Sequence, residues 1–137
     1  MKTTLQAGVS ARITVLVDRA RTIDFMGEQA RVYATPMLVR DIEIGCRELL
    51  LQHLDAGEDS VGTRIELDHT AATLMGMKVE LTLTISAVQG RSVTFDVAGH
   101  DIEPICHGRH QRFIVDVKKT EARLAAKALK AKAAGLT

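Results

Sequence analysis

Four residues in the first half of the chain carry chemically active groups. They are a threonine hydroxyl, a carboxylate, a glycine backbone amide and an imidazole, at Thr35, Glu43, Gly62 and His69. A carboxylate can act as a general base or a nucleophile, and an imidazole can transfer protons. A glycine lets a backbone amide approach a carbonyl oxygen that gains negative charge. Together these groups could support acyl transfer from an activated carbonyl.

A long amphipathic helix should position the carboxylate. Thr35 and Pro36 predict its start, with Thr35 as the N-cap, and residues 55–57 (Asp-Ala-Gly) predict its end near Leu54. Gly45 within the helix predicts a close approach of a sheet, because glycine costs about 1 kcal/mol there relative to alanine. One apolar sector should fill the core, formed by Leu38, Val39, Ile42, Gly45, Cys46, Leu49 and Leu50.

Glu43 falls at the margin of this apolar sector. A carboxylate in that position should be partly desolvated, which would suit a general base near neutral pH. The alternative is a structural glutamate that reaches solvent or pairs with Arg40 or Arg47. Helix geometry alone leaves both interpretations open.

His69 shares one face of a predicted strand with Ile65 and Leu67, so its imidazole should point toward the core. A single inward histidine is more often a structural core residue than a catalyst. The nearby hydroxyl of Thr70 and the flexible Gly62 supply the partners that a catalytic histidine would need.

The remaining pattern predicts an α+β fold. Apolar and polar residues alternate in several segments, which is the signature of half-buried antiparallel strands. About five strands should cover one long central helix, and the charged stretch 18–29 should be a loop with one irregular turn that could act as a lid. We place one domain at residues 1–117 and a basic Ala/Lys-rich helix or tail at 118–137. The alternating segments lie at residues 11–17, 65–69, 77–87, 93–97 and 109–117.

Composition excludes several classes of function. The formal net charge is only +1, which argues against nucleic-acid binding, and no apolar run approaches the roughly 20 residues of a membrane span. Cys46 and Cys106 do not form a disulfide framework, so we expect a soluble, cytoplasmic protein. His107 and His110, three residues apart on a strand, should face opposite sides, and we therefore expect no metal site.

The order of these motifs resembles the fluoroacetyl-CoA thioesterase family of hotdog-fold proteins, over about residues 8–115. The resemblance implies a curved sheet around a central helix, a homodimer that binds acyl-CoA at its interface, and no cofactor beyond the CoA of the substrate. It also implies catalytic roles for Thr35, Glu43 and His69, and a substrate site lined by Gly62, to which we add Thr63 and Thr70. The matching segments are Val32-Tyr33-Ala34-Thr35, Glu43, Gly57-Glu58, Ser60-Val61-Gly62-Thr63, His69-Thr70-Ala71-Ala72-Thr73, Gly76, Val88-Gln89-Gly90-Arg91, His100-Asp101 and Gly108-Arg109-His110.

The chain departs from that family at two places. Pro36 stands where the family has glycine, and residues 26–30 lack the aromatic side chain that closes over a fluorinated acyl group. The resemblance therefore implies hydrolysis of a short or small acyl-CoA, without selectivity for the fluoroacetyl group. The alternative is a non-catalytic hotdog protein that binds acyl-CoA or another small apolar ligand.

Overall fold

A computed structural model describes all 137 residues of the chain. The strands of its central sheet are β1 (Ser10–Leu16), β4 (Glu58–His69), β5 (Lys78–Gln89), β6 (Ser92–His100) and β7 (Pro104–Asp116), and the helices are α1 (Thr35–Leu51) and α2 (Val117–Ala133). The five strands form one antiparallel sheet with the strand order β1-β5-β6-β7-β4. The sheet wraps around the long helix α1, which is the hotdog arrangement that the resemblance predicts.

Helix α1 buries its apolar face against the inner face of the sheet. Leu38, Ile42 and Leu50 are fully buried there. The predicted close approach at Gly45 is confirmed, because a Cβ atom at this position would lie 2.7 Å from Leu83 Cδ1 and 2.8 Å from Ile13 Cδ1. The helix ends at Leu51 and the chain turns through the following residues, so the predicted end near Leu54 was slightly too late.

Strand β4 lies at one edge of the sheet and pairs only with β7. The register of this pairing shifts between Gly62 and Arg64, where Thr63 forms a β-bulge. Two apolar side chains on this edge strand face solvent, since Val61 is 45% exposed and Ile65 is 36% exposed. A long edge strand that carries exposed apolar residues needs a partner or a cover.

The segment between β1 and α1 is more ordered than the predicted loop. It contains two short 3₁₀ turns, Arg19–Arg21 and Glu28–Ala30, and a small antiparallel ladder of β2 (Thr22–Ile23) with β3 (Val32–Tyr33). Its free tip carries Phe25, which is 86% exposed. Arg21 and Tyr33 donate hydrogen bonds to Asp41 on α1 and so anchor the base of the segment.

Helix α2 follows directly on β7, and Asp116 caps it by accepting a hydrogen bond from the Lys119 amide. None of its residues is buried. The predicted domain boundary between residues 117 and 118 lies in its first turn. Neither α1 nor α2 combines the length and apolar character that a membrane-crossing helix requires.

Candidate active site

The hydroxyl of Thr35 and the imidazole of His69 lie in contact at the start of α1. Thr35 Oγ1 is 2.8 Å from His69 Nδ1. The predicted N-cap role of Thr35 was wrong, because Ala34 occupies that position and no side chain caps the helix. Thr35 is instead the first helical residue, and its hydroxyl is directed at the end of β4. The hydroxyl is therefore available for chemistry rather than committed to capping.

The two ring nitrogens of His69 have different environments. Nδ1 faces Thr35, whereas Nε2 is buried and has no hydrogen-bond partner. The ring packs edge-on against Tyr33, with 6.4 Å between centroids. Burial lowers the pKa of His69 from its ordinary value of 6.5, so the imidazole is neutral at physiological pH. The polar contacts of this imidazole therefore run through Nδ1 and the hydroxyl of Thr35.

A small, mostly apolar pocket surrounds this pair. Its volume is about 250 Å³, and it includes Thr70, a predicted substrate-binding residue. Its apolar lining comes from both the 18–34 segment and the residues after β4. The lining residues are Ile23, Val32, Tyr33, Thr35, His69, Thr70, Ala71 and Ala72.

Glu43 and Gly62 form a second contact, about two helical turns along α1 from the contact of Thr35 with His69. A Cβ atom at position 62 would lie 2.6 Å from Glu43 Oε2, so glycine allows the carboxylate to approach the β4 backbone. The Glu43 side chain is 45% exposed and its Oε2 lies 3.3 Å from Nη1 of Arg112. Glu43 thus pairs with neither Arg40 nor Arg47. Arg47 instead binds Asp59.

A pocket of about 350 Å³ opens over this carboxylate. It includes Thr63, the bulge residue that was predicted to bind substrate. It also includes His110, for which no role at this site was predicted. The full lining is Glu43, Gly62, Thr63, Arg64, Ile65 and His110.

The sequence-based prediction of the site did not include Arg112. It is 4% exposed and contacts Glu43 from β7. Its position carries a signal, because Arg112 and Ile114 are two residues apart on one strand and therefore share a face. An arginine on the buried face of a strand requires a partner, and such a position predicts a buried carboxylate or hydroxyl nearby.

The Thr35–His69 pair and the Glu43–Gly62 pair lie apart within one chain. Thr35 and Glu43 are eight residues apart on α1, which is on the order of 12 Å along the helix axis. Gly62 and His69 are seven residues apart on β4, which is on the order of 20 Å along the strand. The two pairs accordingly line separate pockets.

The other chemically active side chains are remote from these pockets or inert. Burial raises the pKa of Cys46 to about 12 and that of Cys106 to about 11, so neither thiol is a nucleophile near neutral pH. His107 lies at the surface, 3.2 Å from Asp68, on the face of β7 opposite to the one that carries His110.

Known proteins are similar to this chain in sequence and fold. The family model of a fluoroacetyl-CoA-specific thioesterase matches residues 17–118. The fluoroacetyl-CoA thioesterase of Streptantibioticus cattleyicolor is 35% identical over 98 residues, which cover 71% of this chain and 70% of that protein. A crystal structure of a variant fluoroacetyl-CoA-specific thioesterase with fluoroacetate and CoA superimposes with a TM-score of 0.78 at 29% identity, covering 85% of this chain and 99% of the other. A Thermus thermophilus member of the thioesterase superfamily superimposes with a TM-score of 0.87 at 27% identity, covering 96% and 98%.

Proposed function

Because this chain belongs to the fluoroacetyl-CoA-specific thioesterase family, we propose that it hydrolyses a short acyl-CoA to the free acid and CoA, with Thr35, Glu43 and His69 as catalytic residues. Membership of the family makes the chain a thioester hydrolase that acts on acyl-CoA. The observation that carries the assignment of residues is the contact of the Glu43 carboxylate with Gly62 at the floor of an open pocket.

Glu43 would act on the thioester carbonyl carbon. As a general base it would remove a proton from a water molecule that attacks this carbon. As a nucleophile it would itself attack, form a mixed anhydride and release the CoA thiolate, after which water would cleave the anhydride. In both routes the carbonyl oxygen gains negative charge, which the Gly62 amide would stabilise. Thr63 would contact the substrate beside this amide.

Thr35 and His69 would stabilise the leaving group. With its proton on Nδ1, His69 would donate a hydrogen bond to Thr35 Oγ1, and the hydroxyl of Thr35 would then donate a hydrogen bond to the sulfur of the leaving thiolate. The proton set free when water is consumed, held by Glu43 in the general-base route, would pass to the thiolate, which restores the Glu43 carboxylate and releases CoA as the thiol. Thr70 would line the substrate path next to this pair. These steps consume one water molecule and need no metal or other cofactor.

The pocket at Thr35 and His69 favours a small acyl group. Its volume of about 250 Å³ is below the usual range for drug-sized ligands. Its apolar lining includes Ile23, Val32 and Ala71. An acyl chain of a few carbons would fit such a space. We propose the cytoplasm as the compartment, because both cysteines are free and buried.

We further propose that the protein acts as a homodimer, formed by antiparallel pairing of β4 with its copy. Because the paired strands would run in opposite directions about a two-fold axis, the Gly62 end of β4 would lie beside the strand end that carries His69 of the partner subunit. Each active site would then combine Glu43 and Gly62 of one subunit with Thr35 and His69 of the other. This pairing would also cover the exposed edge at Val61 and Ile65.

Subunit mixing would test this shared site. Glu43→Ala and His69→Ala homodimers should both be inactive. After unfolding together and refolding, about half of the dimers would be mixed and would hold one intact site of two, so about a quarter of wild-type activity should return. Mixing His69→Ala with a variant that carries both Glu43→Ala and His69→Ala should restore no activity. Absence of recovery in the first mixture, at confirmed dimer exchange, would contradict the shared site.

The proposed function itself is tested by release of free CoA thiol from a panel of thioesters. We expect turnover with acetyl-, fluoroacetyl- and propionyl-CoA and weaker turnover with medium-chain and phenylacetyl-CoA. Preference for the medium-chain substrates would contradict the small acyl pocket. Saturable binding without thiol release from any thioester would contradict hydrolysis and favour the binding-protein alternative.

A further inference from the structure

A chain of buried polar groups runs beneath the Glu43 carboxylate. Arg112 donates from Nε to Ser60 Oγ and from Nη2 to the Ser60 carbonyl oxygen, both at 2.8 Å. Its remaining Nη1 lies 3.3 Å from Glu43 Oε2. Ser60 thus fixes two edges of the guanidinium, and the third is directed at the carboxylate.

His110 completes this chain on the other side. Its Nε2 lies 3.2 Å from Arg112 Nη1 and its Nδ1 lies 2.8 Å from the Arg64 carbonyl oxygen. A guanidinium only donates hydrogen bonds and a carbonyl oxygen only accepts them. The two contacts therefore determine the state of the ring: His110 is neutral, carries its proton on Nδ1 and accepts from Arg112 through Nε2.

The same ring connects to the backbone that meets Glu43. The Arg64 carbonyl that accepts from His110 belongs to the residue directly after the bulge between Gly62 and Arg64. His110 Cε1 would lie 3.3 Å from a Cβ atom at position 62. His110 therefore contacts both the bulge that presents Gly62 and the arginine that holds the Glu43 carboxylate.

We propose that neutral His110 is a positioning residue, which holds Arg112 against Glu43 and fixes the β4 bulge, and that protonation of His110 switches hydrolysis off at acid pH. The proposal rests on the proposed function of Glu43. A protonated ring would place an N–H group and a positive charge against Arg112 Nη1. Arg112 would then have to leave the ring, and the carboxylate would lose its fixed orientation toward Gly62.

The surroundings of the ring set the direction of this switch. The charged groups near it are Arg112 on its own strand and Glu43 on α1, while β6 contributes the uncharged ring of Phe95 and β4 the Arg64 carbonyl. Burial, together with Arg112, lowers the pKa of His110 below 6.5, and this outweighs the opposing effects of Glu43 and the carbonyl. Activity should therefore be complete near neutral pH and fall at pH values below the ordinary histidine pKa of 6.5.

Two substitutions at position 110 separate a positioning role from a packing role. His110→Gln can accept from Arg112 but does not titrate. We expect its kcat at about pH 8 to stay within roughly threefold of wild type, whereas His110→Leu should lose roughly tenfold or more in kcat with little change in KM. On the acid side of the plot of log kcat against pH, the slope for His110→Gln should be smaller than the wild-type slope by one, because one titrating group is lost. The proposal would be overturned if His110→Gln kept the wild-type dependence of log kcat on pH at acid pH. It would also be overturned if kcat of His110→Leu fell only in proportion to the thermal stability of that variant.

A measurement without turnover provides the second test. Nitrogen chemical shifts of the histidine rings distinguish the two neutral tautomers, and we expect His110 to show the Nδ1–H form and to titrate at the midpoint of the acid limb. The Nε2–H form would overturn the inference even if the enzyme is active. If the wild-type protein releases no CoA from any thioester, the proposed function fails, whereas turnover with an unchanged acid limb defeats only the role of His110.

Discussion

Replacement of Glu43 by glutamine should lower kcat for the preferred acyl-CoA by about a hundredfold or more, the range expected for loss of a general base. Glutamine retains the size of the side chain and can still contact Arg112, but it can neither accept a proton from water nor attack the carbonyl. The Gly62 contact should survive, since it depends on the absence of a Cβ atom at position 62. Steady-state thiol release would measure the effect.

Glu48→Gln is the matched control for this experiment. Glu48 lies on the same helix, is exposed and lines neither pocket. The control should retain wild-type kcat and KM, and both variants should unfold at similar temperatures. If Glu43→Gln retained more than a tenth of wild-type kcat, the carboxylate would not be the reacting group.

The two roles that remain open for Glu43 can be separated by isotope labelling. In a single turnover in water enriched in oxygen-18, a general base directs all of the label into the acid product. A mixed anhydride can also be cleaved at the Glu43 carbonyl, which would leave label in the enzyme. Mass spectrometry of the peptide that contains Glu43 would therefore identify an anhydride intermediate, and unlabelled enzyme after attack by labelled water would favour the base.

The regular elements of the fold were predictable because one face of each is buried and the other is solvated. Strict alternation along residues 77–87 predicted β5, and helical spacing predicted α1. The predicted loop at 18–29 failed in detail, because its order comes from Arg21 and Tyr33, whose partner Asp41 lies on α1. Local composition contains no signal for a contact of that kind.

The candidate site shows the same division between local and tertiary information. Glu43 and His69 could be selected from their place on a helix and a strand. The use of the Thr35 hydroxyl could not, since N-capping is the commoner role of a threonine before proline. The bulge at Gly62–Arg64 and the partnership of Arg112 with Glu43 depend on the register between β4 and β7, and register follows from pairing between distant segments.

The second large effect is expected on stability. Asp41 is 5% exposed and binds Arg21 through two hydrogen bonds, from Nε at 2.9 Å and Nη2 at 3.1 Å. The buried hydroxyl of Tyr33 also donates to Asp41. Removing the carboxylate would leave a guanidinium and a buried hydroxyl without their acceptor. We therefore expect Asp41→Ala to lower the free energy of unfolding by about 3 kcal/mol, the lower end of the range for broken buried pairs.

The lower end of this range of unfolding free energies applies to Asp41→Ala because Arg21 remains partly accessible to water and can recover some hydration. Its side chain is 26% exposed, and it retains an ion pair with Asp18 at 2.9 Å. Tyr33→Phe removes only the hydroxyl and leaves Asp41 paired with Arg21, so it should cost less, about 1 kcal/mol. Urea unfolding curves of the three proteins would give these differences directly.

Asp24→Ala provides the surface comparison. Asp24 lies in the same segment but is 64% exposed, and its ion pair with Arg31 is 3.6 Å long. Its removal should change the free energy of unfolding by less than about 0.5 kcal/mol. An equal loss in Asp24→Ala and Asp41→Ala would show that burial of the carboxylate is not the cause.

The effect of Asp41→Ala should reach the active site even where the variant remains folded. Tyr33 lies two residues before Thr35 and packs against the His69 ring, so freeing its hydroxyl would loosen both members of that pair. We expect kcat at low temperature to fall in Asp41→Ala but not in Asp24→Ala. Full kcat in a destabilised Asp41→Ala protein would show that the Arg21–Asp41–Tyr33 cluster supports the fold alone and does not orient Thr35 and His69.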